Sequence, residues 1–177
     1  MKKFLRIVLT GVVALVALVL AGLLTTTIVN TAASASEATR IEEYGQRVEV
    51  DGKRMNVSVT GEGDQTIVLL PGFGTGSPVL DFSPLVGELS SSYRVIVVEP
   101  FGYGLSDQTD VPRTTENIVS EIHEAVAGLG IDRYVLMGHS IAGIYALDYV
   151  ERFRDEVTAF VGVDSSVSVT RSPFRCR

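Results

Sequence analysis

Val135-Leu136-Met137 is a short apolar run, and it ends in Gly138-His139-Ser140-Ile141-Ala142-Gly143. A serine framed by small residues, after an apolar run and before an amphipathic segment, has the layout of a nucleophile elbow. There a strand turns sharply into a helix and projects a strained hydroxyl. Small residues two before and two after the serine are a steric need, because the two backbones nearly touch. Gly138 meets that need, and Ala142 stands where the G-x-S-x-G pattern has glycine, with Gly143 one step later. The chemistry this predicts is nucleophilic attack by Ser140 Oγ; the plainer role for such a serine is to cap the helix that follows.

A serine hydroxyl is a poor nucleophile until a base takes its proton. The chain has two histidines, and none lies in the 37 residues after Ser140. His139 adjoins the serine, and its side chain is expected to point away from the attack direction and to pack or orient. His123 falls at the border of a helical apolar stripe, where a surface histidine is expected. The Gly102-x-Gly104 pair has no third glycine at the step a phosphate-cradling loop needs, which argues against nucleotide binding.

The elements that must position this serine follow from periodicity. Tyr44 to Val50 and Arg54 to Thr60 alternate in polarity around Asp51-Gly52, a β-hairpin signal. Thr66 to Leu70, Arg94 to Val98, Val135 to Met137 and Val157 to Val163 are short continuous apolar runs of the kind parallel strands show when both faces are buried. Asn117 to Leu129 places Ile118, Ile122, Ala125, Val126 and Leu129 on one stripe and closes at Gly130. Ile141 to Val150 is apolar almost all round, suiting a helix buried against the middle of a sheet. Strands alternating with helices at this spacing predict right-handed crossovers and a three-layer α/β domain.

The amino terminus is of another kind. Ile7 to Val29 is uncharged for 23 residues and follows Lys2, Lys3 and Arg6. A helix of that length reaches roughly 35 Å, enough to cross a hydrocarbon core, and basic residues on the short side favour keeping that end in the cytoplasm. The span is longer than the core of an ordinary signal peptide, which favours a membrane signal-anchor. Ala33-Ser34-Ala35 nevertheless has the small-x-small form of a cleavage site, which would give a secreted protein. Either way the residues from Ser36 onward are expected outside the cytoplasm. Without the first 35 residues the chain has 12 basic and 21 acidic residues, which argues against nucleic acid as a partner. The single cysteine, Cys176, excludes an internal disulfide framework.

Three blocks resemble the α/β-hydrolase fold superfamily in order and spacing: Leu69-Leu70-Pro71-Gly72-Phe73-Gly74, then Glu99-Pro100-Phe101-Gly102-Tyr103-Gly104-Leu105-Ser106-Asp107, then Gly138-His139-Ser140-Ile141-Ala142-Gly143. The resemblance covers about residues 44 to 166, the amino-terminal half of such a domain. It implies a serine hydrolase that cleaves an ester, thioester or small amide of a small-molecule acyl substrate through an acyl-enzyme at Ser140, with no cofactor or metal. It implies an oxyanion hole from the backbone N–H groups of Phe73 and Ile141. It places the base and the usual acid on later segments, leaving Asp164, at the end of the sixth strand, as a less common acid position.

The expected organisation is therefore a cytoplasmic segment 1–6, a membrane span 7–29, a linker 30–43, a partial α/β-hydrolase domain 44–166 that lacks its last strands and cap, and an irregular tail 167–177. Arginine supplies three of the last seven residues; the plainer expectation is an ordinary disordered tail, and the sharper one is that roughly the last eight residues are out of frame in a truncated domain with impaired activity. The reading from another class is a non-catalytic, membrane-tethered binding module on the same scaffold.

Overall fold

The computed structural model describes residues 2–38 and 40–166. It divides the chain into two compact units, Met1–Glu43 and Tyr44–Arg177. The expected irregular tail at 167–177 lies outside the described residues.

The first unit is one helix, α1 (Lys2–Ala38). It is long and apolar enough to cross a membrane by length and composition, and its large apolar side chains are exposed throughout. The helix extends beyond the predicted span at both ends. Residues 31 to 38, expected to begin a linker, are helical instead. They include no proline or glycine, and the preceding turn is tightened by threonines: Thr25, Thr26, Thr27 and Thr31 each donate a hydroxyl to the carbonyl four residues earlier. Satisfied in this way, polar side chains do not compete with the helix.

The second unit is a six-stranded sheet with helices on both faces. Its elements are β1 (Gln46–Val50), β2 (Lys53–Thr60), β3 (Thr66–Leu70), α2 (Pro78–Asp81), α3 (Ser83–Leu89), β4 (Arg94–Glu99), α4 (Thr115–Ala127), β5 (Tyr134–His139), α5 (Ala142–Arg152) and β6 (Val157–Val163). The strand order is β1-β2-β4-β3-β5-β6; β1 and β2 are antiparallel at one side, and β4, β3, β5 and β6 run parallel. Asp51 and Gly52 both adopt positive φ in the hairpin turn, the conformation a two-residue primed turn requires.

Strand period decides which face each side chain meets. Val68, Leu70, Ile96, Val98 and Leu136 pack with Ile118, Ile122, Val126 and Tyr149 from α4 and α5. Their sequence neighbours Ile67, Leu69, Val95 and Val97 face the other way, onto Val79, Phe82, Leu85 and Leu89. Burying a side chain of this size contributes about 1.5–3 kcal/mol, so a two-sided core explains why β3 and β4 carry continuous apolar runs. The helices α2 and α3 that cover the second face were not legible in the sequence. Both are short, and each has proline in its first turn. At the other side of the sheet, β6 leaves Val161 and Val163 exposed.

Candidate active site

Every group of interest lies where the parallel strands end. Ser140 follows β5 and precedes α5, and its φ is +54°. A residue with a β-carbon in this left-handed region is disfavoured by about 1–2 kcal/mol, so neighbours must hold it there. The Ser140 N–H donates to Val163 O (3.2 Å), and the Ser140 carbonyl accepts from the N–H groups of Gly143 (3.1 Å) and Ser166 (2.9 Å). Its hydroxyl makes no hydrogen bond among the described residues.

Close packing explains the small residues around it. A β-carbon at Gly138 would lie 3.1 Å from Ala142 Cβ and 3.2 Å from Phe160 Cε2. Ala142 is fully buried, and its methyl occupies space that Gly138 leaves open. Alanine therefore suffices where the pattern has glycine. The loop leaving β3 passes equally close. A β-carbon at Gly72 would lie 2.6 Å from His139 Nδ1 and 3.4 Å from Ser140 Cβ. This contact sets Phe73, the next residue, beside the elbow.

Phe73 and Ile141 line one cavity of about 290 Å³, together with Pro71, Phe101, Tyr103 and Tyr145. The N–H groups of Phe73 and Ile141 donate to no acceptor among the described residues. Two residues with unpartnered N–H groups thus line a mostly apolar pocket, and Ser140 immediately precedes one of them, Ile141. Arg113 supplies the charge in its wall. Arg113 Nη1 donates to both carboxylate oxygens of Glu121 (2.8 and 2.7 Å), which is nearly buried. Burial, and after it the neighbouring Tyr103, hold the Tyr145 hydroxyl above the ordinary tyrosine range, while Arg113 pulls it back.

Among the described residues neither histidine makes a hydrogen bond to the Ser140 hydroxyl. His139 is half-buried with its ring against Gly72. His123, expected at the surface, is half-buried too: its Nε2 lies 3.0 Å from both Glu156 oxygens and its ring stacks on Phe153 at 3.6 Å. Asp164 follows β6 with φ +46°, one step past the His139–Val163 register pair, and is therefore beside Ser140 at the strand ends. It is exposed, and it makes no hydrogen bond or ion pair among the described residues. The fold thus brings together Ser140, Phe73 and Ile141, and it does not bring a histidine onto Asp164. Among the described residues no cluster of His, Cys, Asp and Glu could hold a metal ion.

Sequence reasoning missed Glu99. Its side chain is fully buried at the end of β4 and lies within hydrogen-bond distance of five polar groups. The available signal was a carboxylate closing an otherwise apolar run, immediately before the Pro-Phe-Gly-Tyr-Gly turn.

Comparison with known proteins fits this geometry. A family model described as alpha/beta hydrolase fold matches residues 65–175. An uncharacterized protein of Bacillus subtilis, YbdG, is 32% identical over 129 residues, which are 72% of this chain and 40% of that protein. A 2-hydroxy-6-oxononadienedioate/2-hydroxy-6-oxononatrienedioate hydrolase of Paraburkholderia phymatum is 32% identical over 136 residues, 73% of this chain and 46% of that one. Among solved structures, a mutant of the meta-cleavage product hydrolase CumD from Pseudomonas fluorescens IP01 superposes with a TM-score of 0.63 at 25% identity, over 68% of this chain and 45% of its own. The chain thus spans less than half the length of these relatives.

Proposed function

The chain belongs to the α/β-hydrolase fold family, and from that premise we propose that it is a serine hydrolase acting on an ester, thioester or small amide. Ser140 attacks the acyl carbonyl, and the N–H groups of Phe73 and Ile141 receive the negative oxygen of the tetrahedral intermediate. The observation that carries this reading is a serine held at φ +54° next to Ile141, which lines one cavity with Phe73, the N–H groups of both being unpartnered among the described residues. Preorganised donors of this kind are each worth about 3 kcal/mol in acyl transfer. The mostly apolar wall, with Tyr103, Tyr145 and a paired Arg113, suits a small acyl compound carrying few charges.

Proton transfer limits the rate. His123 is committed to Glu156 and Phe153, and His139 packs on Gly72. With no base bonded to its hydroxyl among the described residues, Ser140 is expected to acylate slowly and to turn over slowly. The test is covalent: a fluorophosphonate should add one mass equivalent to the peptide containing Ser140, and Ser140→Ala should remove it. Rapid hydrolysis of a p-nitrophenyl ester, abolished by Ser140→Ala, would overturn the slow-turnover claim. No labelling of Ser140 would favour the second reading, a membrane-tethered binding module, which the lack of a hydrogen bond between either histidine and the hydroxyl supports.

The proposed setting is a membrane surface. We take α1 as an uncleaved anchor with Lys2, Lys3 and Arg6 in the cytoplasm and the hydrolase unit outside it. Ala33-Ser34-Ala35 lies within α1, so cleavage there would require the helix to unwind. The anchored protein should remain in the membrane fraction after alkaline carbonate extraction with its full 19.0 kDa mass. A soluble product beginning at Ser36 would decide for a cleaved signal.

A further inference from the structure

We infer that Glu99 is a positioning residue for acyl chemistry at Ser140, holding the loop that presents the Phe73 N–H; the inference rests on Ser140 being the nucleophile. The loops after β3 and β4 leave neighbouring parallel strands and diverge, and both contribute walls to the cavity: Phe73 on one, Phe101 and Tyr103 on the other. Glu99 sits between them and gives one carboxylate oxygen to each side. Oε1 accepts from Val79 N (3.2 Å) and lies 2.8 Å from Ser77 Oγ and 3.2 Å from the Tyr44 hydroxyl; these two hydroxyls are 2.7 Å apart, so one donates to Oε1 and the other to its neighbour. Oε2 accepts from Leu105 N (2.8 Å) and Asn56 Nδ2 (3.0 Å). All of these groups are neutral. Asn56 gives its Nδ2 to this carboxylate although its own buried Oδ1 then has no partner among the described residues.

The rest of the loop has little else to hold it. From Pro71 to Gly76, one backbone hydrogen bond runs to another segment among the described residues, from Gly104 N to Gly76 O (2.9 Å). That bond belongs to the same junction, because Gly104 packs so closely on Glu99 that a β-carbon there would collide with the carboxylate. The Phe73 N–H is thus located by two fixed points. Gly72 against His139 is one, and Ser77 and Val79 on Glu99 are the other. Relaxing the second point lets the donor drift from the oxyanion position while the apolar cavity still accepts a ligand. A misplacement of about 1 Å at such a donor can cost on the order of 100-fold in rate.

The test uses the full chain in detergent at alkaline pH, where hydroxide can take the serine proton. Fluorophosphonate labelling is followed over a range of probe concentrations to separate the limiting rate, kinact, from the half-saturating concentration, KI. Glu99→Gln replaces an acceptor with a donor facing Leu105 and Asn56. It should lower kinact roughly 10- to 100-fold and leave KI within about twofold. Ser77→Ala should lower kinact by a smaller factor in the same way. Amide exchange at residues 72–77 should quicken in both, a readout that does not depend on serine reactivity. Wild-type kinact in folded Glu99→Gln overturns the inference. Should that variant fail to fold, unchanged kinact in both Ser77→Ala and Tyr44→Phe overturns it instead. Labelling that persists in Ser140→Ala overturns the reading of Ser140 and leaves the exchange result to judge the role of Glu99 in the loop.

Discussion

Ser140→Gly is expected to erase fluorophosphonate labelling and, at the same time, to raise the melting temperature of the hydrolase unit. The two effects have one source. Ser140 occupies φ +54°, where its β-carbon costs about 1–2 kcal/mol, and its hydroxyl makes no hydrogen bond whose loss would offset relief of that strain. Glycine adopts the same backbone without the clash. It does lose more conformational freedom on folding, about 0.5–1 kcal/mol, which leaves a net gain centred on about 0.75 kcal/mol within a range of about 0–1.5. For a unit of this size the central value raises the melting temperature by roughly 2–4 °C. Labelling at position 140 should disappear, because no other atom at the elbow can replace the nucleophile. Thermal melts of Ser140→Gly and Ser140→Ala separate strain from chemistry: both should lose labelling, and only the glycine variant should melt higher. A lower melting temperature for Ser140→Gly would mean that the elbow stores no strain.

Strain at this serine was legible in sequence because its cause is local. Gly138 and Ala142 announce that two backbones approach, and Ser140 between them has one way to turn. The parallel strands were legible for a related reason: alternate residues of β3 and β4 face different layers, so both sets must be apolar. The second face was harder to read. The helices α2 and α3 are four and seven residues long, too short to display a 3.6-residue stripe, and Val79, Phe82, Leu85 and Leu89 acquire their pattern from the sheet beneath them. Glu99 was hidden by distance. Its partners Tyr44, Asn56, Ser77, Val79 and Leu105 come from separate segments, and nothing in any one segment signals the others. His123 was misjudged for the same reason. A histidine bordering an apolar stripe becomes half-buried only when Phe153 and Glu156, some thirty residues away, close over it.

That same closure brings a pair of tyrosines into the core, and they should make the protein fail steeply in alkali. Tyr134 and Tyr149 are fully buried, with their hydroxyls 2.8 Å apart, and Tyr134 donates to Glu156 at 2.9 Å. Tyr149 must therefore donate to Tyr134. Burial is the main cause that holds both hydroxyls well above the ordinary tyrosine value, and at Tyr134 the neighbouring Tyr149 adds to it. In the folded protein both protons stay bound where the unfolded chain has begun to lose them, near pH 10. Stability is thus fully present below that pH. Above it the unfolded state binds fewer protons, and stability falls by about 1.4 kcal/mol per pH unit for each tyrosine, or about 2.7 for the pair. Against a total of about 5–15 kcal/mol for an ordinary domain, two or three units are enough to unfold one at the lower end. Tyr149→Phe isolates the effect. At neutral pH it should be destabilised by about 1 kcal/mol through the lost hydrogen bond, yet in alkali its stability should fall less steeply by one tyrosine's share. The two curves should cross within about one pH unit above 10, where the shallower slope has made up the deficit. Tyr44 and Tyr145 are also raised, but they are common to both proteins and drop out of the difference. Urea unfolding of the full chain in non-ionic detergent, followed by far-ultraviolet dichroism across this pH range, measures both slopes. Parallel slopes would show that Tyr149 ionises as readily folded as unfolded, and that its hydroxyl is not sealed in the core.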